Sequence, residues 1–428
     1  MTMAPQIIGP PPGRFAAAAG SDGMSPLLQL ILALAILIAV AKLAGMLSAR
    51  FRQPAVLGEL LAGIALGPSL LNVLHLPFFT DPQLEPTVFH LAELGVIFLM
   101  FVAGLEVKLD DLLAVGKTSS LVGALGVLVP LAAGTALAWW WPNGYTLAQC
   151  LFVGILLTAT SVSISAQTLL ELGQLRSRVG LTLLGAAVVD DILVIVLLSV
   201  FVALAAASGG VLAILLSLGA MALYFALASL FGLRLLPALT RQVVKWPVSQ
   251  PLITLAVVLT LLAAWSAEAL GGVAAITGAF LMGLFFGRTP YHNRIEAGMQ
   301  PITYGLFVPI FFASIGLHAN VFALEGGLAG FAALFCLVAV ATKLIGCGLG
   351  AGLAGLPRRE AFQVGAGMIS RGEVGLIVAT VGIREGIIQD NLFAVAVLMV
   401  LVTTLATPPL LRWAFSRPPA DPAPAAAD

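Results

Sequence analysis

Charged residues are what this chain has least of. Lysine, arginine, aspartate and glutamate make up 9% of its 428 residues, whereas 60% of the residues are hydrophobic. Soluble globular domains carry about 25% charged residues, so the composition excludes an ordinary soluble domain. The 20 basic and 20 acidic residues balance, and this balance argues neither for nor against nucleic acid. The scarcity of charged residues, however, leaves no basic surface for it. The composition indicates a polytopic membrane protein whose surroundings are a lipid bilayer.

Cysteine is also scarce, and its spacing excludes a cysteine-bound metal. Cys150, Cys336 and Cys347 stand apart from one another in apolar segments, where thiols usually serve as small hydrophobes. No motif for a resident cofactor accompanies them, so we expect none. The chain therefore offers no redox or metal chemistry through its thiols.

The two ends of the chain lack spans altogether. Residues 1–25 are rich in proline, glycine and alanine and lack the basic region of a cleaved signal peptide. We expect a flexible tail there, and a second, disordered tail over 417–428. Residues 26–416 would then form the membrane unit.

Apolar runs fill that membrane unit. About 20 apolar residues are needed to cross the hydrocarbon core of a bilayer. The sequence predicts an all-α membrane protein with about thirteen such segments, which are 26–48, 54–74, 90–109, 119–141, 149–172, 179–204, 210–238, 250–268, 271–287, 299–322, 327–355, 360–384 and 391–413.

Lysine and arginine predict the orientation of these segments. Connections that carry them alternate with connections that carry almost none, and basic connections stay in the cytoplasm. The N-terminus is therefore predicted outside and the C-terminus inside. Segments 2–6 and 9–13 run in opposite senses, an arrangement typical of inverted repeats in transporters.

Two adjacent carboxylates interrupt the most continuous apolar run. Asp190 and Asp191 lie near the midpoint of 179–202, where each charge costs about 2.5–3.5 kcal/mol to insert. Because the two charges also repel each other, we expect a proton or a cation to neutralise at least one of them. The pair predicts an ion or proton site.

Polar residues also interrupt segments 5 and 12. Segment 5 contains Thr160 and Ser161 in the run TATSVSIS, and segment 12 contains Arg371 and Glu373 in the run GAGMISRGEVG. Transporters often build ion sites where helices break at the bilayer midplane. The hydroxyls of segment 5 are explained equally well by bonds back to their own helix, whereas a buried arginine and glutamate need partners.

Lys343 is the remaining charge at this depth. A lone lysine in the middle of segment 11 should pair with a carboxylate, and Asp190 and Asp191 are the nearest acids by predicted depth. A Lys–Asp pair would leave the other carboxylate available to a cation or a proton. The alternative is a structural ion pair that only fixes helix packing.

Taken together, these stretches resemble the bacterial monovalent cation:proton antiporters of the cation:proton antiporter-2 family. Besides Lys343 and the Asp190–Asp191 pair, the motifs that carry the resemblance are PAVLGELLAG (54–63), LGPS (66–69), ELGVIFLMFVAGLE (93–106), TATS (158–161), GAFLMG (278–283), PIFF (309–312) and SRGE (370–373). They occur in the family's order along nearly the whole membrane region.

The resemblance implies a fold, a homodimer and a set of roles. It implies a core domain (about 90–204 and 327–413) with two crossed, discontinuous helices, and a dimerisation domain (about 26–74 and 210–322). It also implies that Asp191 carries the cation and the proton, with Thr160 and Ser161 near one helix break. Asp190 would pair with Lys343, with Arg371 and Glu373 as further charges of the site.

The expected activity is secondary-active exchange of Na⁺ or Li⁺ for H⁺, without an enzymatic step, in a bacterial inner membrane. The resemblance implies electrogenic exchange, and proton exchange at Asp190 and Lys343 would move two protons per sodium. A K⁺/H⁺ antiporter of the same fold is the main alternative. Potassium-efflux relatives with a cytosolic regulatory domain are disfavoured, because the chain ends soon after segment 13.

Two other classes fit the residues less well. An intramembrane aspartyl protease needs two acids on separate helices with a Gly-x-Gly-Asp pattern, whereas here the acids are adjacent. An ion channel does not need a buried Asp–Lys pair. Coupling of cation flux to proton flux separates an antiporter from both classes.

Overall fold

The computed structural model describes residues 24–51, 53–141, 145–205, 211–317, 329–384 and 386–416. Every regular element in these ranges is helical, as the sequence predicts. The α-helices are α1 (Pro26–Arg50), α2 (Ala55–Leu66), α3 (Leu84–Glu106), α4 (Leu109–Ala114), α5 (Gly116–Trp140), α6 (Leu147–Thr158), α7 (Val162–Glu171), α8 (Arg178–Ala205), α9 (Val211–Leu230), α10 (Leu236–Val243), α11 (Pro251–Ala269), α12 (Ala275–Gly287), α13 (His292–Ile302), α14 (Val308–Leu317), α15 (Ala329–Leu353), α16 (Arg358–Gly367), α17 (Glu373–Arg384) and α18 (Asp390–Ser416). Single π-helical turns join α9 to α10 and α13 to α14.

Ten stretches of the described chain are long and apolar enough to cross a membrane. α2 and α12 are apolar but shorter, and the region 360–384 is divided between α16 and α17. The chain is thus a multi-pass membrane protein, and the count of thirteen spans stays a prediction. Most of the predicted N-terminal tail (1–23) and the C-terminal tail (417–428) lie outside the described residues.

Local sequence signals set several helix starts. α6 begins with a capping box, in which the Thr146 hydroxyl accepts the N–H of Gln149 and the Gln149 side chain accepts the N–H of Thr146. Pro26 and Pro251 open α1 and α11, positions at which a missing N–H costs nothing. These ends depend on a few neighbouring residues and could be located without tertiary information.

The helices pack in two groups. In the first group, α5, α6, α8, α15, α16 and α18 pack against one another; in the second, α1, α2, α3, α12 and α14 do so, with α11 against α12. α3 covers most of the segment 90–109 that the sequence analysis assigns to the core domain, yet it packs chiefly against α12 and α14. Which helices move together stays a prediction.

Glycines on both sides bring α3 and α12 together. A methyl group added to Gly104 of α3 would overlap the carbonyl oxygen of Phe280, and one added to Gly283 of α12 would overlap that of Phe101. Small residues let transmembrane helices approach at backbone distance. This contact fixes the position of α12, which forms one wall of the site described below.

Gly283→Ala is expected to lower the melting temperature of the detergent-solubilised protein, because the backbone of α3 must move to admit the methyl group. Overpacking of this kind typically costs about 1–3 kcal/mol. Gly352→Ala is the matched control, because a methyl group there meets no described atom within 4 Å. If both variants have the melting temperature of the native protein, α3 and α12 do not approach each other as closely as described.

Candidate ion-binding site

The two adjacent aspartates of α8 point toward different surroundings. Successive residues of an α-helix are rotated by about 100°, so the side chains of Asp190 and Asp191 leave the helix in different directions. Asp190 is fully buried against α15, whereas Asp191 lines a cavity bounded by α3, α7 and α12 and is 6% exposed. The carboxylates therefore form two sites.

Asp190 is paired with Lys343. Nζ of Lys343 donates to Oδ1 of Asp190 at 2.7 Å, and both side chains are 0% exposed. Oδ2 of Asp190 has no hydrogen-bond partner among the described residues. The pair brings two opposite charges into the protein interior, where removing either one would leave the other uncompensated.

Gly126 and Cys347 cover this pair, and neither residue belongs to a motif that predicts a site. A Cβ atom on Gly126 of α5 would lie 2.6 Å from Sγ of Cys347 and 3.6 Å from both Oδ1 of Asp190 and Nζ of Lys343. Only a residue without a side chain lets α5 approach so closely. Cys347 is fully buried, as expected of a small hydrophobe.

Asp191 faces a small, partly open cavity. The hydroxyl of Thr277 donates to Oδ2 of Asp191 at 3.1 Å. The residues that line the cavity are Met100, Val162, Leu184, Ala187, Val188, Asp191, Ile276, Thr277 and Phe280. A carboxylate beside one hydroxyl in a mostly apolar cavity is suited to hold one small cation or one proton.

Two discontinuous helices meet close to this cavity. The break between α6 and α7 (159–161) contacts the break between α16 and α17 (368–372): the N–H of Ser161 donates to the carbonyl of Ser370 at 2.9 Å, and the Ser370 hydroxyl donates to the carbonyl of Ser161. Ser165 also donates to the carbonyl of Gly367. Backbone that leaves the helix is thereby satisfied within the protein, as a membrane requires.

The hydroxyls that the sequence analysis associates with the ion are engaged within their own segment. Thr160 donates to the carbonyl of Thr158 at 3.3 Å, and Oγ of Ser161 lies 2.8 Å from Oγ of Ser163. Val162, the first residue of α7, follows this break and lines the Asp191 cavity. The structure thus places Thr160 and Ser161 at the helix break beside the cavity.

Arg371 binds backbone carbonyls at the two helix breaks, and its role as a coupling charge stays a prediction. Its guanidinium donates to the carbonyls of Leu157 and Ile369, each at 2.7 Å, and at longer range to those of Ala339 (3.2 Å) and Met368 (3.4 Å). No carboxylate among the described residues lies within ion-pair distance of it. Leu157 is in the last turn of α6, and Met368 and Ile369 follow α16 directly, so the cation meets two negative helix ends.

Glu373 begins α17, and its side chain lies outside the described residues. The preceding Gly372 packs against the other break, since a Cβ there would come 2.6 Å from Oγ of Ser161. The hydroxyls of Thr403 and Thr404 of α18 bond the backbone of Arg371. The second break is therefore held in place by the first break and by α18.

Comparisons with known proteins agree with this architecture. A family model described as "Sodium/hydrogen exchanger, transmembrane" matches residues 35–415. The chain is 38% identical over 383 residues to the Na(+)/H(+)-K(+) antiporter GerN of Bacillus cereus, covering 89% of this chain and 95% of that protein. It is 34% identical over 383 residues to a Na(+)/H(+) antiporter of Enterococcus hirae, covering 89% and 96%.

A solved structure supports the fold independently. The sodium proton antiporter MjNhaP1 from Methanocaldococcus jannaschii matches with a TM-score of 0.64 at 19% sequence identity, over 91% of this chain and 100% of that chain. At this sequence identity the match shows a shared fold and nothing about activity. Because a family model covers most of its length and relatives exceed 30% identity, this chain belongs to the transmembrane sodium/hydrogen exchanger family.

Proposed function

We propose that this protein is a secondary-active antiporter that exchanges Na⁺ or Li⁺ for H⁺, with Asp191 as the carrier of both. The observation that supports this most directly is the position of Asp191: nearly buried, and in a small cavity beside two broken helices. Its relatives from Bacillus cereus and Enterococcus hirae are named as antiporters.

The exchange rests on competition for one carboxylate. An ionised Asp191 binds a small hard cation through oxygen, the ligand type that such cations prefer. A protonated Asp191 has lost the charge that holds the cation. Each ligand therefore excludes the other, and coupling follows without ATP or a cofactor.

Neutralisation of Asp191 permits the conformational change that carries the site across the membrane midplane. An empty, ionised Asp191 in an apolar chamber is costly to carry across the midplane, whereas the proton-bound or cation-bound form is neutral. The Asp190–Lys343 pair contributes no net charge while both are ionised. If that pair also releases and takes up a proton in each cycle, two protons move per sodium and the exchange is electrogenic.

Potassium remains the second candidate cation, because the name of the Bacillus cereus relative includes K⁺. A carboxylate and a hydroxyl bind either ion, so ion size must be discriminated by the dimensions of the cavity.

We further propose a homodimer in a bacterial inner membrane, with the N-terminus outside and the C-terminus in the cytoplasm. The alternation of basic connections supports this orientation.

Asp191→Asn is expected to abolish cation-dependent dissipation of a pH gradient in reconstituted vesicles. The amide keeps the shape of the side chain but can neither ionise nor take up a transported proton. Na⁺, Li⁺ and K⁺ are added in turn to vesicles that carry the native or the variant protein. Asp111→Asn, at an exposed position of α4, serves as the matched control and should transport like the native protein.

The cation that produces dissipation assigns the substrate. A response to Na⁺ or Li⁺ that Asp191→Asn eliminates supports the proposal, and a response to K⁺ alone replaces it with K⁺/H⁺ exchange. Retention of Na⁺-driven exchange in folded Asp191→Asn would show that the carrier is another group. Folding is verified by size-exclusion profile and melting temperature.

A further inference from the structure

We infer that Thr277 of α12 is a cation ligand and a determinant of cation affinity, acting from the wall of the cavity opposite Asp191. The inference rests on the proposed exchange at Asp191 and adds a residue that no sequence motif points to. Its hydroxyl donates to Oδ2 of Asp191 at 3.1 Å, and its side chain is itself buried, with 4% exposure. Asp191 and Thr277 are the two polar members of the cavity lining.

The hydroxyl of Thr277 behaves unlike those of several threonines within other helices of this chain. Such hydroxyls commonly donate to the carbonyl of the residue four positions earlier. The described chain has examples in Thr135, Thr168 and Thr260, at 2.8, 2.8 and 2.7 Å. Thr277 lies in the first turn of α12, where the carbonyl four positions earlier precedes the helix. Its hydroxyl is therefore free of the backbone and is turned toward Asp191.

A hydroxyl suits each state of the site. It carries one donor and two acceptor lone pairs. When Asp191 is ionised and holds no cation, Thr277 donates to it through the 3.1 Å contact described above. When a cation binds, the hydroxyl rotates and presents a lone pair to the ion. When Asp191 is protonated, the same lone pair accepts the carboxylic acid proton in a hydrogen bond.

The ligand comes from a different packing group than the carboxylate. α8 packs against α5, α6, α7 and α16, whereas α12 packs against α3 and α11. A site with ligands on both walls holds the cation most tightly when α8 and α12 are apposed as they are here. Relative movement of the two walls would remove one oxygen from the ion and weaken its binding.

Thr277→Val tests this assignment, because valine has nearly the shape of threonine without the hydroxyl. We expect the KM for Na⁺ to rise about tenfold, equivalent to about 1.4 kcal/mol, while the maximal rate changes much less. Thr277→Ser restores the hydroxyl and should restore the KM. Thr260→Val, on the neighbouring α11, removes a buried hydroxyl that bonds to Ala256 and should leave the KM unchanged.

The outcomes separate the two proposals. If the native protein shows neither Na⁺-dependent nor Li⁺-dependent exchange, the proposed function fails and the role of Thr277 with it. If the native protein exchanges Na⁺ and folded Thr277→Val has the native KM, the function stands and Thr277 is not a ligand. A raised KM that Thr277→Ser does not restore would reduce Thr277 to a packing residue.

Discussion

Lys343→Met is expected to lower the stability of the protein by about 3–5 kcal/mol, the usual cost of removing one partner of a buried ion pair. Methionine fills a similar volume, so the loss comes from Asp190. Oδ1 of Asp190 would lose its 2.7 Å donor, and Oδ2 already lacks a partner among the described residues. The measurement is the melting temperature in detergent, with unfolding monitored by intrinsic fluorescence.

The double variant Asp190→Asn/Lys343→Met separates charge from packing. Replacing a buried pair by neutral groups of similar volume is often close to neutral for stability, so the double variant should recover most of the loss. A double variant that melts as low as Lys343→Met would show that the uncompensated carboxylate is not the cause. A Lys343→Met protein with the native melting temperature would show that the Asp190–Lys343 pair does not stabilise the protein.

Arg371→Met is expected to be at least as damaging, because one guanidinium joins three parts of the first group. It donates to Leu157 at the end of α6, to Ala339 of α15, and to Met368 and Ile369 in the break after α16. Each buried carbonyl that loses its donor costs about 1–3 kcal/mol. We expect a large loss of monodisperse protein on size exclusion and a lower melting temperature for the fraction that remains.

Arg371→Lys distinguishes charge from geometry. Lysine keeps the positive charge opposite the two helix ends but lacks the planar fork of donors, so we expect it to restore only part of the stability. Arg294→Met, at an exposed position of α13, is the control for loss of an arginine. Native stability in Arg371→Lys would mean that the positive charge alone is enough to hold the two helix breaks together.

Some parts of the site could be predicted because they violate a rule that the bilayer imposes. Asp190, Asp191, Lys343 and Arg371 stand out in sequence since charges in apolar runs need a reason. The breaks at 159–161 and 368–372 were foreseeable from polar and glycine-rich runs inside segments that otherwise read as spans. These features need only the one-dimensional pattern and the hydrocarbon thickness.

Other parts carried no such signal. Thr277 is one threonine in an apolar helix, and Gly126 is one of 45 glycines, so neither departs from what a transmembrane helix tolerates. The buried Arg371 was expected to need partners, and those that it has include carbonyls at the ends of broken helices. These carbonyls reach Arg371 only when the fold brings the two helix breaks together, so the sequence alone does not identify them as its acceptors.

By itself, the sequence determined the class of protein, the approximate positions of the helices and the residues whose charge must be accommodated, because hydrophobicity and its interruptions are local properties. The tertiary structure alone decided what each of those residues faces. The rotation of α8 about its axis turns Asp190 toward Lys343 and Asp191 toward the cavity. The close contact of α3 with α12 sets the position of the wall that carries Thr277. Helix rotation and helix separation depend on all the packed neighbours at once, and no segment read alone contains them.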